Sequence, residues 1–432
     1  MTFGPPPTSA EDDTIVLQLR DENNVVTAEI DRFDSYSFNS HFLVPTDAFS
    51  FSIGDEAVLR SIVDGLFVGQ RVSLVINGLK QADGYIDRFH ITTSRDAGTR
   101  LMVEGRDRLS PLVDANIDPR RYRFSAQSTL EDILVAVLGD FGWTRDHILI
   151  DNDANKNAIT GSLRGTATTK KGKPLKSFLA HQLKPYPQEG AFAFLARLSQ
   201  RFGLWIWVSS DGDDVIVSEP DFEQEAGWPI IHKLSDTSRN NVISSDVMVN
   251  GGNQPTVIIA TGFGGGGEIN RAGMKVAMVN ELTGLNELGI ERPEVIAELA
   301  RHPDAVLINQ RASLGSLLVN GGIVGNLSRA KFRAMYLHDD ESKTTEQLEN
   351  YVRREMALKQ REGVNAHYTF EGHTINGAPW CVDTLVKVDD DVSNMHTTMW
   401  VLSRTFEKSR SQGTRTQVEL IMPHTLDFGG DG

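Results

Sequence analysis

The chain has 432 residues, enough for two to four domains with substantial cores, and 58 acidic against 43 basic side chains give it a net charge of −15. A general nucleic-acid binder grips phosphate with a positive surface that releases counterions, so this balance argues against one. A single cysteine, Cys381, excludes an internal disulfide framework and a cysteine-built zinc site; beside Trp380 it reads as a small half-buried residue.

Residues 1–13, MTFGPPPTSAEDD, read as a flexible N-terminal tail, Pro-rich and acidic, without the basic and apolar regions of a secretory signal. No run reaches the roughly 18 apolar residues of a membrane span, so a soluble protein made in a cytoplasm, with no membrane insertion, is expected. From Thr14 to about Asp118 the pattern is strands. Ile15, Leu17 and Leu19 alternate, and Phe49, Phe51 and Ile53 share one face at period two. Val72, Leu74 and Ile76 run into the turn Asn77-Gly78, and a strand is expected from Gly84 to Ile91, with another over RLMVEGRD (100–107). Short strands with turns about every ten residues imply an antiparallel barrel or sandwich.

The first helix follows Ser128-Thr129, with Glu131-Asp132 in its opening turn and an apolar stripe of Leu130, Ile133, Leu134, Val137 and Leu138. Residues 151–189 form a polar surface excursion. A second amphipathic helix then buries Ala191, Phe194, Leu195, Leu198 and Phe202 and ends at Gly203, where a left-handed cap is wanted. Leu204, Ile206 and Val208 alternate with Trp205 and Trp207, which predicts a strand covered on both faces. It turns at Ser210-Asp211-Gly212-Asp213 into Val215-Ile216-Val217. Strand signals return at 239–262. Residues 268–330 have a different texture, with a short helix opening at Pro293. A long helix from Thr344 to Arg361 places Leu348, Val352, Met356 and Lys359 on one face, and residues 364–423 return to strands. There is no internal repeat at solenoid periods.

Chemistry is scarce. Gly264 to Gly267 lack the Lys-Ser/Thr and the strand–turn–helix context of a phosphate loop and read as a plain loop. His367, Glu371 and His373 match no zinc spacing. Asp389-Asp390-Asp391 reads as a charged turn without the remaining ligands of a calcium loop. Lys170, Lys171, Lys173 and Lys176 have no interleaved aromatics and read as a solvated loop. No Gly-x-Ser-x-Gly elbow is present. No residue is assigned as catalytic, cofactor-binding or metal-ligating, and no cofactor is implied. A receptor- or carbohydrate-binding module resting on aromatics such as Trp228 and Trp380 is a lesser alternative.

Several stretches together resemble the baseplate hub proteins of contractile-tailed, Mu-like phages and the hub half of type VI secretion VgrG proteins. They are VPTDAFSFSIG (44–54), GQRVSLVINGLKQADGYIDRFHI (69–91), LMVEGRDRLSPLVDANID (101–118), the helix and hairpin of 190–220, EGHTINGAPWCVDTLVKVDDD (371–391) and GTRTQVELIMP (413–423). The resemblance implies a β-rich α+β fold: two antiparallel β-barrel, tube-like domains with an intervening α/β segment and an insertion. The expected limits are 14–122 for the first barrel and 123–237 for the α/β segment with its helix and hairpin. The second barrel takes 238–262 and 364–423, the insertion and long helix 263–363, and a C-terminal tail 424–432. It further implies a homotrimeric structural hub, not an enzyme, in the tail baseplate of a virion assembled in the host bacterial cytoplasm. Its partners would be a trimeric spike, a tail tube or tube-initiator protein and baseplate wedge proteins. DNA would pass through the lumen without specific binding, and surplus acid lining that channel would keep it from sticking. The alternative is a tail-associated cell-wall-degrading enzyme with a carboxylate pair in the insertion or in 151–189.

Overall fold

The computed structural model describes residues 13–21, 23–96, 98–122, 124, 128–150, 183–200, 204–222, 224–262, 274–285, 290–308, 327–339, 342, 345–375, 377–423 and 425. The tail 1–12, the glycine run 264–267, the lysines of 170–176, the cap at Gly203, Phe202 and nearly all of 424–432 lie outside them.

The chain opens with β1 (Ile15–Arg20), β2 (Val26–Ile30), β3 (Ser35–His41) and β4 (Ala48–Ile53), then the short helix α1 (Glu56–Ile62). β5 (Arg71–Ile76), β6 (Leu79–Ser94) and β7 (Gly98–Asp107) follow. Asn77 and Gly78 both take positive φ, 51° and 80°, which matches the right-handed twist of the strands they join. β6 starts at Leu79, five residues before the expected Gly84, because this turn pairs Leu79 with Ile76 at once.

Next come α2 (Ser110–Asp114), α3 (Leu130–Gly139), β8 (Ile148–Ile150), α4 (Ala191–Gln200), β9 (Trp205–Val208) and β10 (Val215–Ser218). Thr129 accepts from the Asp132 amide while Asp132 accepts from the Thr129 amide, a reciprocal cap that starts α3. β8 pairs parallel and β9 antiparallel with β10, and the helices cover this small sheet to form one core. β9 is apolar on both faces for a reason now visible. Ile206 faces the helical core, while Trp205 and Trp207 pack on Phe42 beside Trp400, with Trp207 and Phe42 centroids 4.8 Å apart.

β11 (Trp228–His232) and β12 (Val242–Val249) precede a separate four-stranded sheet of β13 (Val257–Gly262), β14 (Met274–Val279), β15 (Val306–Leu307) and β16 (Ala334–Asp339). α5 (Pro293–Leu299) lies between its strands in sequence, and α6 (Thr345–Arg361) packs on β13 and β14 through Leu348, Val352 and Met356. The buried stripe of α6 continues through Gln360 rather than the expected Lys359. Gln360 donates to Asn280, and Asn280 donates to Gln254, so this face ends in a satisfied buried amide network. The chain finishes with β17 (Val364–Glu371), the ribbon β18 (Thr374–Ile375) and β19 (Ala378–Pro379), then β20 (Leu385–Asp390), β21 (Met395–Ser409) and β22 (Gly413–Ile421).

The fold is β-rich α+β, and thirteen strands join in one sheet. Its main path runs β12-β17-β22-β21-β3-β4-β7-β6-β5-β1-β2, with β20 on β21 and β11 on β20. Two expectations change. No ring of paired strands closes among the described residues; the early and late strand sets are welded side by side by β3 and β21 into one sheet over one continuous core. The strands of the second set are also redistributed. Val257–Gly262, grouped by the sequence with the second barrel, pairs with β14 and β16, whereas Trp228–His232, grouped with the α/β segment, pairs with β20.

Candidate functional site

The chemistry-bearing side chains mostly do structural work. Asp390 is buried and accepts from the hydroxyls of Tyr368 and Ser393, at 2.9 and 2.7 Å. Asp389 and Asp391 face outward with His396, an arrangement able to ligate a cation, but the Lys233 ammonium donates to both carboxylates at 2.6 and 2.9 Å. That single ammonium offsets half of their combined charge and occupies the place between them. His367 is exposed on β17. Trp380 is fully buried between Phe370 and Trp228, at centroid distances of 4.5 and 5.6 Å, so it offers no exposed aromatic platform. Cys381 lies half-buried beside the Arg404 guanidinium, 3.8 Å away. A pocket in the first strand set is lined by apolar residues including Leu17, Phe49, Phe51 and Leu74. Asp107, buried, accepts from the amides of Asp47 and Leu109; burial, then the nearby Asp47 charge, push its pKa well above the usual carboxylate range.

Buried polar groups also cross the weld between the strand sets. Arg404 on β21 is fully buried and donates to the side chain of Gln81 on β6 at 3.0 Å, to the Gln81 carbonyl at 3.2 Å, and to the Trp380 carbonyl. Its guanidinium sits 4.7 Å over the Phe406 ring, and burial lowers its pKa. Nearby, Tyr36 of β3, His373 and Thr416 of β22 form a chain of hydrogen bonds. The Thr416 hydroxyl donates to the Gly372 carbonyl at 2.6 Å, so it accepts from His373 Nδ1, leaving Nε2 to accept from the Tyr36 hydroxyl. His373 is therefore held neutral.

Burial lowers the His373 pKa to about 4 from 6.5. A group whose folded pKa is depressed contributes stability above its unfolded pKa and loses it as pH falls through the folded value. Acidification from pH 6.5 to pH 4 is expected to remove about 3 kcal/mol through this residue. Urea midpoints measured across that range should fall more steeply for the native protein than for His373→Gln. Equal slopes would remove His373 as the cause.

The two strand sets are built alike. In the first, a 6-residue strand, a turn with Asn77 at positive φ, a 16-residue strand, a turn ending at positive-φ Gly98 and a 10-residue strand follow one another. In the second, the series is 6 residues, Asn394 at positive φ, 15 residues, positive-φ Gly413 and 9 residues. One shift in numbering carries Ile86 onto Val401, Arg88 onto Ser403, Gly98 onto Gly413 and Glu104 onto Glu419. The register break of each long strand falls at the same place, between Ile86 and Arg88 and between Val401 and Ser403. Neighbouring strands also correspond, since β3-β4-β7-β6-β5 repeats as β12-β17-β22-β21-β20. Phe51 and Ile53 of β4 fall onto Tyr368 and Phe370 of β17, all four buried.

Two edges of this repeat stand open. On the side away from β7, β6 pairs with β5 only as far as Tyr85, and residues 87–93 have no further strand partner among the described residues. The equivalent half of β21 is covered by β3. β12 likewise pairs only with β17.

No protein-family model and no curated protein matches this sequence. Solved structures do. The tail protein from Neisseria meningitidis MC58 is similar over 96% of this chain and 99% of its own, with TM-score 0.66 and 18% identity. The 43 kDa tail protein of prophage MuSo2 from Shewanella oneidensis aligns with the same coverage, score and identity. A prophage tail protein from Listeria monocytogenes EGD-e aligns over 94% of each chain, with TM-score 0.50 and 8% identity. Similarity at this score along nearly the whole length of both chains means that this protein has the fold of these phage tail proteins, one of them from a Mu-like prophage.

Proposed function

We propose that the chain is a structural component of a phage tail or a related injection apparatus. In this reading it is a baseplate hub whose three copies form a pseudo-sixfold ring between a hexameric tail tube and a trimeric spike. The observation that carries the reading is the repeated five-strand unit within one chain of phage-tail-protein fold. Three chains with two like units each present six like surfaces, which suits a ring that must match sixfold symmetry on one side and threefold on the other. The division at 14–122, 123–237, 238–262 with 364–423, and 263–363 belongs to the same proposal, amended by the strand exchanges described above.

The remaining roles follow from that placement. Tube or tube-initiator, spike and wedge proteins are the partners, DNA or an effector crosses the lumen without specific binding, and the site of action is the virion tail, assembled in the bacterial cytoplasm. Among the described residues the polar clusters join strands rather than line a reactive cleft, which suits a scaffold. Light scattering after size exclusion should give about three times the 47.7 kDa chain mass. A stable monomer would overturn self-assembly into the ring. Clearing of peptidoglycan suspensions by the purified protein would overturn the non-enzymatic reading.

A further inference from the structure

The weld inside the chain shows how one repeat joins the next. The outer half of β21, from the second unit, pairs antiparallel with β3, from the first, with Phe406 opposite Phe38 and Thr405 opposite Asn39. Because the units correspond strand for strand, the same joint has a second pair of halves. The equivalent of β21 is β6, open along residues 87–93, and the equivalent of β3 is β12, whose edge away from β17 is open among the described residues.

Resting on the ring reading above, we propose that β6 of one chain pairs antiparallel with β12 of a second copy, repeating the internal weld between subunits. Carrying the internal register across sets Phe89 opposite Val249, His90 opposite Met248, Ile91 opposite Val247 and Thr92 opposite Asp246. Burial agrees with this assignment. At the closed weld Arg404 and Phe406 are fully buried and Phe38 is 2% exposed. At the open edge Ile91, the counterpart of Phe406, is 41% exposed. Phe89, Val247 and Val249 already pack on the main core from the two sides. Joining the strands therefore prolongs the apolar layer across the contact, with Ile91 covered by Val247 and Val249. Each chain offers one edge of each kind, so the contact is head-to-tail and is satisfied throughout only when the assembly closes. Long strand edges left open would instead invite uncontrolled strand addition.

Paired cysteines test both the contact and its register. In the full chain carrying Cys381→Ser, Thr92→Cys with Asp246→Cys should oxidise to covalent dimers and trimers on non-reducing gels. His90→Cys with Ser244→Cys, four positions out of register, should stay monomeric on the same gels. Light scattering of each variant without oxidant reports assembly independently. A trimer that cross-links at the off-register pair, or at neither pair, overturns this contact while the hub reading stands. Register-specific cross-links in an assembly other than a trimer support the strand contact and overturn the threefold ring. A chain that stays monomeric without cross-linking overturns both. Ile91→Lys, exposed in the single chain, should leave the fold intact by circular dichroism and shift the assembly to monomer; an unchanged assembly counts against the contact.

Discussion

Arg404→Ala is expected to destabilise the folded protein by about 2–4 kcal/mol, read as a lowered urea midpoint. Two effects compete. Burying a guanidinium with no carboxylate hydrogen-bonded to it among the described residues is costly, and its removal recovers part of that desolvation. Against this, the substitution strips hydrogen bonds from the Gln81 carbonyl and side chain and from the Trp380 carbonyl. Each buried acceptor left unpaired costs about 1–3 kcal/mol, and the space over the Phe406 ring is emptied as well. Three orphaned acceptors outweigh one relieved charge. Arg404→Met keeps most of the volume and should cost less than alanine. Because Gln81 lies on β6 and Arg404 on β21, a double-mutant cycle with Gln81→Ala should show coupling well beyond additivity. Additive single effects would mean that this contact does not help to join the strand sets.

Phe194→Ala is expected to cost about 3–5 kcal/mol, and Leu198→Ala about 2–5 kcal/mol. Both side chains are fully buried on α4, in a core shared with α2, α3 and the sheet of β8, β9 and β10. The Phe194 ring stacks on Phe124 at 6.3 Å. Truncation leaves a cavity that this core, fenced by three helices and a sheet, closes only in part. The loss should appear as earlier exposure of Trp143, which is buried in the same core, in fluorescence-monitored unfolding. A loss well under 1 kcal/mol would mean that the buried face of α4 has been misassigned.

Features written in a few neighbouring residues were legible. The Asn77-Gly78 turn, the Thr129–Asp132 cap, the apolar stripe of α4 from Ala191 to Leu198 and the two-faced pattern of β9 all appear where the sequence places them. Each depends on forces acting within one or two turns of chain: allowed φ, an unpaired amide meeting a side chain, or a face of fixed period. The long helix shows where this reasoning stops. Lys359 and Gln360 are adjacent, and pattern alone does not say that Asn280 waits to receive Gln360.

The candidate contact surface was much less legible, and the repeat explains why. What the two strand sets share is strand length, positive-φ turns and the position of a register break, while paired side chains differ freely, as Arg88 does from Ser403. Backbone geometry tolerates such exchange wherever the face stays apolar or polar, so the duplication leaves little trace in residue identity. The sequence by itself determined a β-rich α+β chain of local hairpins and capped helices. Tertiary structure alone decided which strands meet: β3 and β21, more than 350 positions apart, close one edge, whereas their counterparts β12 and β6 keep theirs open within the chain. Pairing between strands is carried by backbone groups that every residue possesses, so the choice of partner follows from topology and burial rather than from any local signal.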